Sequence, residues 1–203
     1  MIPRIAIDIV SSMLPVLILC SVVIITLRMA YLFNTKKPFV LYKELMALSF
    51  IMYILLLFEL VTTTDYYSYG HNFVPFAEIL RYSITSEYFY TNVIGNLVLF
   101  IPFGYYAAYY TKMNKWYLPL AVTLITSITI ETIQMFVGRS FDMDDIILNV
   151  AGGMLGYLLY QVTSKLMTKY PDRFKNHLFL NLICILIIIA LVFIILELYG
   201  ALL

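Results

Sequence analysis

Glu131, Gln134, Arg139, Asp142, Asp144, Asp145 and Asn149 fall within nineteen residues of an otherwise oily chain. Carboxylates and amides at this density can bind a polar ligand, hold a hard cation through oxygen, or move a proton. The alternative is purely structural: caps, an ion-pair clasp, or hydrogen bonds between helices. The surroundings raise the stakes. The chain has 203 residues, 63% hydrophobic and 12% charged, with a mean hydropathy of +0.91. A soluble domain is nearer half apolar and a quarter charged. The expectation is an all-α, polytopic membrane helix bundle, where a retained charge marks a functional site by default.

The elements that must position this cluster follow from length. About 20 apolar residues cross the hydrocarbon core. Six runs qualify: Val10–Tyr31, Leu45–Thr62, Val93–Tyr110, Trp116–Val137, Ile146–Leu166 and Leu178–Leu198. The first is too long for a signal-peptide core and reads as a retained span. Between the second and third spans, Thr63–Asn92 carries nine Tyr and Phe residues. Such residues favour the membrane–water interface. This loop is expected on the bilayer surface, with a short helix near Phe76–Tyr82 and with His71 to Phe76 able to fold over a cavity as a lid. Cys20 and Cys184 lie in apolar runs and read as fillers.

Within the fourth span, Thr123, Ser127 and Glu131 recur at four-residue spacing and Gln134 follows three later, so all share one helical face. Glu131 lies about 9 Å inside the helix end at 1.5 Å per residue. Gly138 suits a helix C-terminus, and Asp144 or Asp145 suits the next N-terminus. Arg139, the basic residue in this turn, is placed to pair with a carboxylate and clasp the hairpin. Asp145 and Asn149 share a face of the fifth span, with Asn149 within reach of Glu131. Gly152, Gly153 and Gly156 let another helix approach closely. The third span sets Asn92 and Asn96 on one face, and Pro102 in it is expected to kink the helix and open a cavity among the third, fourth and fifth spans.

Lysine and arginine orient the chain. Lys36, Lys37, Lys43, Lys112, Lys115, Lys165, Lys169, Arg173 and Lys175 all belong to the loops after the first, third and fifth spans. By the positive-inside rule those loops are cytoplasmic, and both termini and the polar cluster are extracytoplasmic. No phosphate-binding glycine loop, zinc-protease helix, nucleophile elbow or nucleic-acid-binding basic patch is present.

Five segments together resemble the VanZ-like family: Asn72-Phe-Val-Pro-Phe76, Asn96-Leu-Val-Leu-Phe-Ile-Pro-Phe-Gly104, Glu131-Thr-Ile-Gln134, Gly138-Arg-Ser-Phe-Asp-Met-Asp-Asp-Ile-Ile-Leu-Asn149, and the following Ala-Gly-Gly153. The resemblance divides the chain into an additional N-terminal span and cytoplasmic loop (1–44), a VanZ-like core (45–166), and a second loop with an additional C-terminal span (167–203). It implies a multi-pass protein of a bacterial cell membrane, linked to resistance to the glycopeptide teicoplanin.

The expected role is binding. An outward polar site formed by Asn72, Asn92, Asn96, Glu131, Gln134, Arg139, Asp142, Asp144, Asp145 and Asn149 would take a lipid-linked cell-wall component, a membrane lipid or a glycopeptide antibiotic, and no nucleic acid. No cofactor is required, although Asp142, Asp144 and Asp145 could hold a divalent cation. The alternatives are an intramembrane enzyme modifying an envelope lipid, with Glu131 as general base, and a small lipid transporter.

Overall fold

A computed structural model describes residues 2–62, 70–86, 88–169, 176–182 and 184–186, with side chains from Met13 onward. Every regular element among them is helical: α1 (Ile2–Thr35), α2 (Leu41–Thr62), α3 (Ala77–Arg81), α4 (Gly95–Thr111), α5 (Tyr117–Phe136) and α6 (Met143–Lys169). In lipid a spanning segment must satisfy its own backbone polar groups, which leaves apolar runs of this length little choice but helix. Five stretches are long and apolar enough to cross a membrane: Met13–Thr35, Leu41–Thr62, Phe89–Thr111, Tyr117–Phe136 and Met143–Lys169. The protein is an all-α, multi-pass membrane protein.

The third stretch begins earlier than its expected start at Val93. A π-helical turn, Phe89–Ile94, feeds directly into α4, and the Gly95 N–H donates to the Tyr90 carbonyl five residues back. Hydropathy alone does not foretell such a turn. The expected sixth span, Leu178–Leu198, lies mostly outside the described residues, as do Tyr66, Tyr67 and Tyr69 of the aromatic loop. The start of that span belongs to a shorter apolar helix, His177–Leu186.

The chain forms two compact units, Met1–Leu14 with Tyr53–Ser164, and Pro15–Met52 with Lys165–Leu203. In the second, Arg28 donates from Nε and Nη2 to the Glu44 carboxylate at 2.7 and 3.0 Å. There too, the Tyr42 N–H donates to Asn181 Oδ1 at 3.0 Å.

The first unit carries the polar cluster. Its core joins Leu57 of α2 to Phe100 and Phe103 of α4, and Ala108 of α4 to Tyr157 of α6. The Tyr53 hydroxyl donates to the Leu99 carbonyl at 2.9 Å, pinning α2 to α4. Glycines set the spacing of α4, α5 and α6. A Cβ on Gly152 or Gly156 would run into the α4 carbonyls of Leu97 and Ile101, and one on Gly153 would meet the Thr123 side chain of α5. Without a hydrophobic force between helices in lipid, such close backbone approach is what holds them together. The buried face of α5 is Pro119, Thr123, Ser127, Glu131 and Gln134. This is the polar stripe inferred from spacing, turned inward, while Ile125, Ile128 and Phe136 are exposed on the other side.

Candidate functional site

The turn between α5 and α6 is built residue by residue. Gly138 ends α5 with φ 89°, in the left-handed region that glycine tolerates best. The Arg139 N–H reaches back to the Gln134 carbonyl at 2.9 Å and the Gly138 N–H to that of Met135 at 3.3 Å, the paired bonds of a Schellman motif. Asp142 then starts α6. Its Oδ1 accepts the Asp144 N–H at 2.8 Å, which makes it the N-cap. Sequence position suggested Asp144 or Asp145 for the cap; it is Asp142 instead, because the helix begins at Met143, three residues before the expected start at Ile146.

Asp144 does something spacing does not predict. It is 1% exposed. Its Oδ1 accepts the Phe76 N–H at 2.5 Å, and its Oδ2 accepts those of Glu78 and Ile79 at 2.7 and 3.0 Å. It therefore satisfies the free N–H groups at the start of α3, whose own N-cap residue, Phe76, offers no side-chain acceptor. Phe76 enters that helix at φ 65°, an unusual conformation for a bulky residue. Asp145 accepts a hydrogen bond from the Asn96 amide of the third span. Three acids within four residues thereby cap α6 and tie α3 and α4 to one turn.

The segment before α3 docks on the same turn. The Asn72 N–H donates to the Phe141 carbonyl and the Met143 N–H to the Asn72 carbonyl, both at 2.9 Å. Asn72 Nδ2 donates to Asp142 Oδ1 at 2.9 Å, His71 Nδ1 accepts the Phe141 N–H at 3.1 Å, and the Phe73 and Phe141 rings stack at 5.3 Å. Burial pushes the Asp142 carboxyl up from its ordinary value, and the hydrogen bonds from Asp144 and Asn72 oppose the shift.

Between lid and turn lies a cavity of about 770 Å³, lined by Gly70, His71, Asn72, Glu78, Ile79, Arg81, Tyr82, Asn92, Val93, Asn96, Arg139, Ser140, Asp142, Asp144, Asp145 and Leu148. Aside from the Tyr82 ring, only Ile79, Val93 and Leu148 offer apolar side chains. Seven of the ten expected site residues line it: Asn72, Asn92, Asn96, Arg139, Asp142, Asp144 and Asp145. Glu131, Gln134 and Asn149 do not. They stand behind the wall, and α5 contributes no lining residue. The cavity sits at the helix ends beneath the lid, not at the level of Pro102 among three spans. Glu78, Arg81 and Tyr82 were not singled out from sequence. Their signal was there in the i, i+4 pairing of Glu78 with Tyr82, which puts both on one face of a short helix.

Two pairings differ from expectation. Glu131, 1% exposed, accepts the Asp142 N–H at 2.9 Å, and Asn149 donates to Ser127 Oγ at 3.0 Å rather than to Glu131. The buried Asn149 Oδ1 has no partner. Arg139 makes no ion pair among the described residues. It donates to the Leu60 carbonyl of α2 at 3.1 Å. In the Gln134 amide orientation that satisfies both neighbours, its nitrogen donates to Glu131 at 2.8 Å and its oxygen accepts from Arg139 at 3.0 Å. The expected ion-pair clasp of the hairpin is thus absent among the described residues; Arg139 instead ties the turn to α2 through a carbonyl and to α5 through an amide. Arg139→Ala should therefore lower the melting temperature of the purified protein, with a loss of about 1.5–3 kcal/mol for a hydrogen bond from a charged donor. An unchanged melting temperature would remove this structural role.

Among the described residues no group of three or more His, Cys, Asp or Glu side chains could hold a metal ion. The three aspartates diverge to separate partners, so their arrangement does not resemble a cation cage.

The VanZ/LLP1 family model matches residues 44–164. Protein VanZ of Enterococcus faecium is 30% identical over 118 residues, which cover 57% of this chain and 68% of that protein. No solved structure matches. The matched segment takes in most of four of the five described membrane stretches together with the lid, the capped turn and the residues that line the cavity, and the chain belongs to the VanZ/LLP1 family.

Proposed function

We propose that this VanZ-like protein binds the polar portion of an amphiphilic envelope molecule, a lipid-linked cell-wall component or a lipoglycopeptide, and through that binding is linked to glycopeptide resistance. The cavity carries the reading. Its volume is that of a small-ligand site, enough for a headgroup and too small for a whole lipoglycopeptide. Its charges are unbalanced: Glu78, Asp142, Asp144 and Asp145 against Arg81 and Arg139. Arg81 is paired with Glu78 at 3.0 Å and Arg139 faces a carbonyl, so the remaining carboxylates favour a headgroup with a cationic centre. Catalysis through Glu131 finds less support, because its carboxylate is engaged with Asp142 and Gln134 and does not reach the cavity.

The cavity is extracytoplasmic in this reading. Lys112 and Lys115 stand at the α4–α5 connection, at the opposite end of both helices from the lid. The positive-inside rule puts that connection in the cytoplasm. In a background without Cys20 and Cys184, a cysteine at Ser140 should react with a membrane-impermeant thiol reagent on intact cells and one at Asn114 should not. Labelling at Asn114 alone would reverse the orientation.

Native mass spectrometry of protein extracted gently from its own membrane tests the ligand. A bound amphiphile of defined mass, lost on Asn96→Ala, is expected. Retention unaltered by that change would place the ligand elsewhere.

A further inference from the structure

Resting on the cavity reading above, we infer that segment 73–84 is a roof inserted in the bilayer leaflet, and that the cavity's ligand is lipid-borne, its chain lying along the roof while its headgroup sits beneath. The roof has two unlike sides. Glu78, Ile79 and Tyr82 face the cavity. Its other apolar residues are open to the surroundings: Leu80 is 81% exposed and Ile84 71%, and Phe73, Val74 and Phe76 are each more than half exposed, although Phe73 also stacks on Phe141. Water penalises so many exposed apolar side chains within twelve residues.

The membrane is the occupant that the position of this segment supports. The segment is tethered between two stretches that cross the bilayer, Leu41–Thr62 and Phe89–Thr111, so it cannot travel far from the surface. Tyr88, Tyr90 and Ile94 are also exposed at the entry to α4, on a stretch that is long and apolar enough to cross the membrane. An amphipathic segment of this kind lies in the interface with its apolar side among the acyl chains. The cavity walls are too polar to accept an acyl chain, whereas the roof's outer side suits one.

Nitroxides placed at Leu80→Cys and Ile84→Cys, in the Cys20→Ala/Cys184→Ala background and in phosphatidylethanolamine–phosphatidylglycerol vesicles, read the depth. Relaxation should be several-fold stronger with dissolved oxygen than with a water-soluble nickel chelate. Nickel-dominated relaxation at both sites would overturn the inserted roof, and so would shielding from both reagents, which would mean a protein partner. This reading needs no bound ligand, so it stands apart from the cavity reading. For the ligand, Leu80→Asp/Ile84→Asp should lose at least most of the amphiphile that the unaltered protein retains in native mass spectra. Full retention would overturn the lipid-borne route. Absence of any amphiphile from the unaltered protein would sink the cavity reading and this ligand class with it, and leave the depth measurement to decide the roof.

Discussion

Replacing Gly104 with alanine is expected to remove most of the folded protein from the membrane fraction. A Cβ at that position would collide with the backbone of Gly153 on α6. Neither partner is a side chain that can swing away. Overpacking a site where side chains can adjust costs about 1–3 kcal/mol, and backbone against backbone leaves separation of α4 from α6 as the remaining relief. That separation would also undo the contacts of Gly152 and Gly156 with Leu97 and Ile101. Gly95→Ala is the control, because the nearest atom to its added Cβ is the Tyr90 carbonyl oxygen at 3.7 Å. Abundance in membranes and melting temperature in detergent should fall for Gly104→Ala and hold for Gly95→Ala. Equal behaviour of the two would mean that the helices do not pack through these glycines.

Asp144→Ala carries the second large effect. It deprives the N–H groups of Phe76, Glu78 and Ile79 of their shared acceptor. Hydrogen bonds to a charged group contribute roughly 1.5–3 kcal/mol each, but these three donors lie on a part-buried segment where water replaces much of what is lost. A net loss of about 3 kcal/mol is expected, concentrated on α3, since α6 keeps its own cap in Asp142. Amide exchange should accelerate in a peptide covering residues 73–82 far more than in one covering α5. Uniform acceleration across the protein, or none, would count against a lid held by this one carboxylate. A ligand bound under the lid should also be lost, because Glu78 and Tyr82 would leave the cavity wall.

Those expectations draw on unequal shares of sequence and structure. The five described stretches were legible because apolar length is a local property and lipid permits little besides helix. The inward face of α5 was legible for the same kind of reason: Thr123, Ser127, Glu131 and Gln134 repeat at helical spacing, and polar side chains in a bilayer turn toward protein. The glycines of α6 announced close packing, although not that their partners would be the carbonyls of Leu97 and Ile101. The polar cluster itself was located from composition. Its internal wiring was not. Asp142, Asp144 and Asp145 are chemically near-identical and adjacent in the chain, yet one caps α6, one caps α3 from 66 residues away, and one accepts from Asn96 at a separation of 49. Arg139 likewise chose the Leu60 carbonyl, 79 residues back, over nearby acids. Which residues stand in the cavity wall and which stand behind it was decided by the way the lid folds onto the turn. Helix formation and burial follow from periods that a short window contains, whereas the partner of a hydrogen-bonding side chain depends on which distant backbone the tertiary fold brings within about 3 Å.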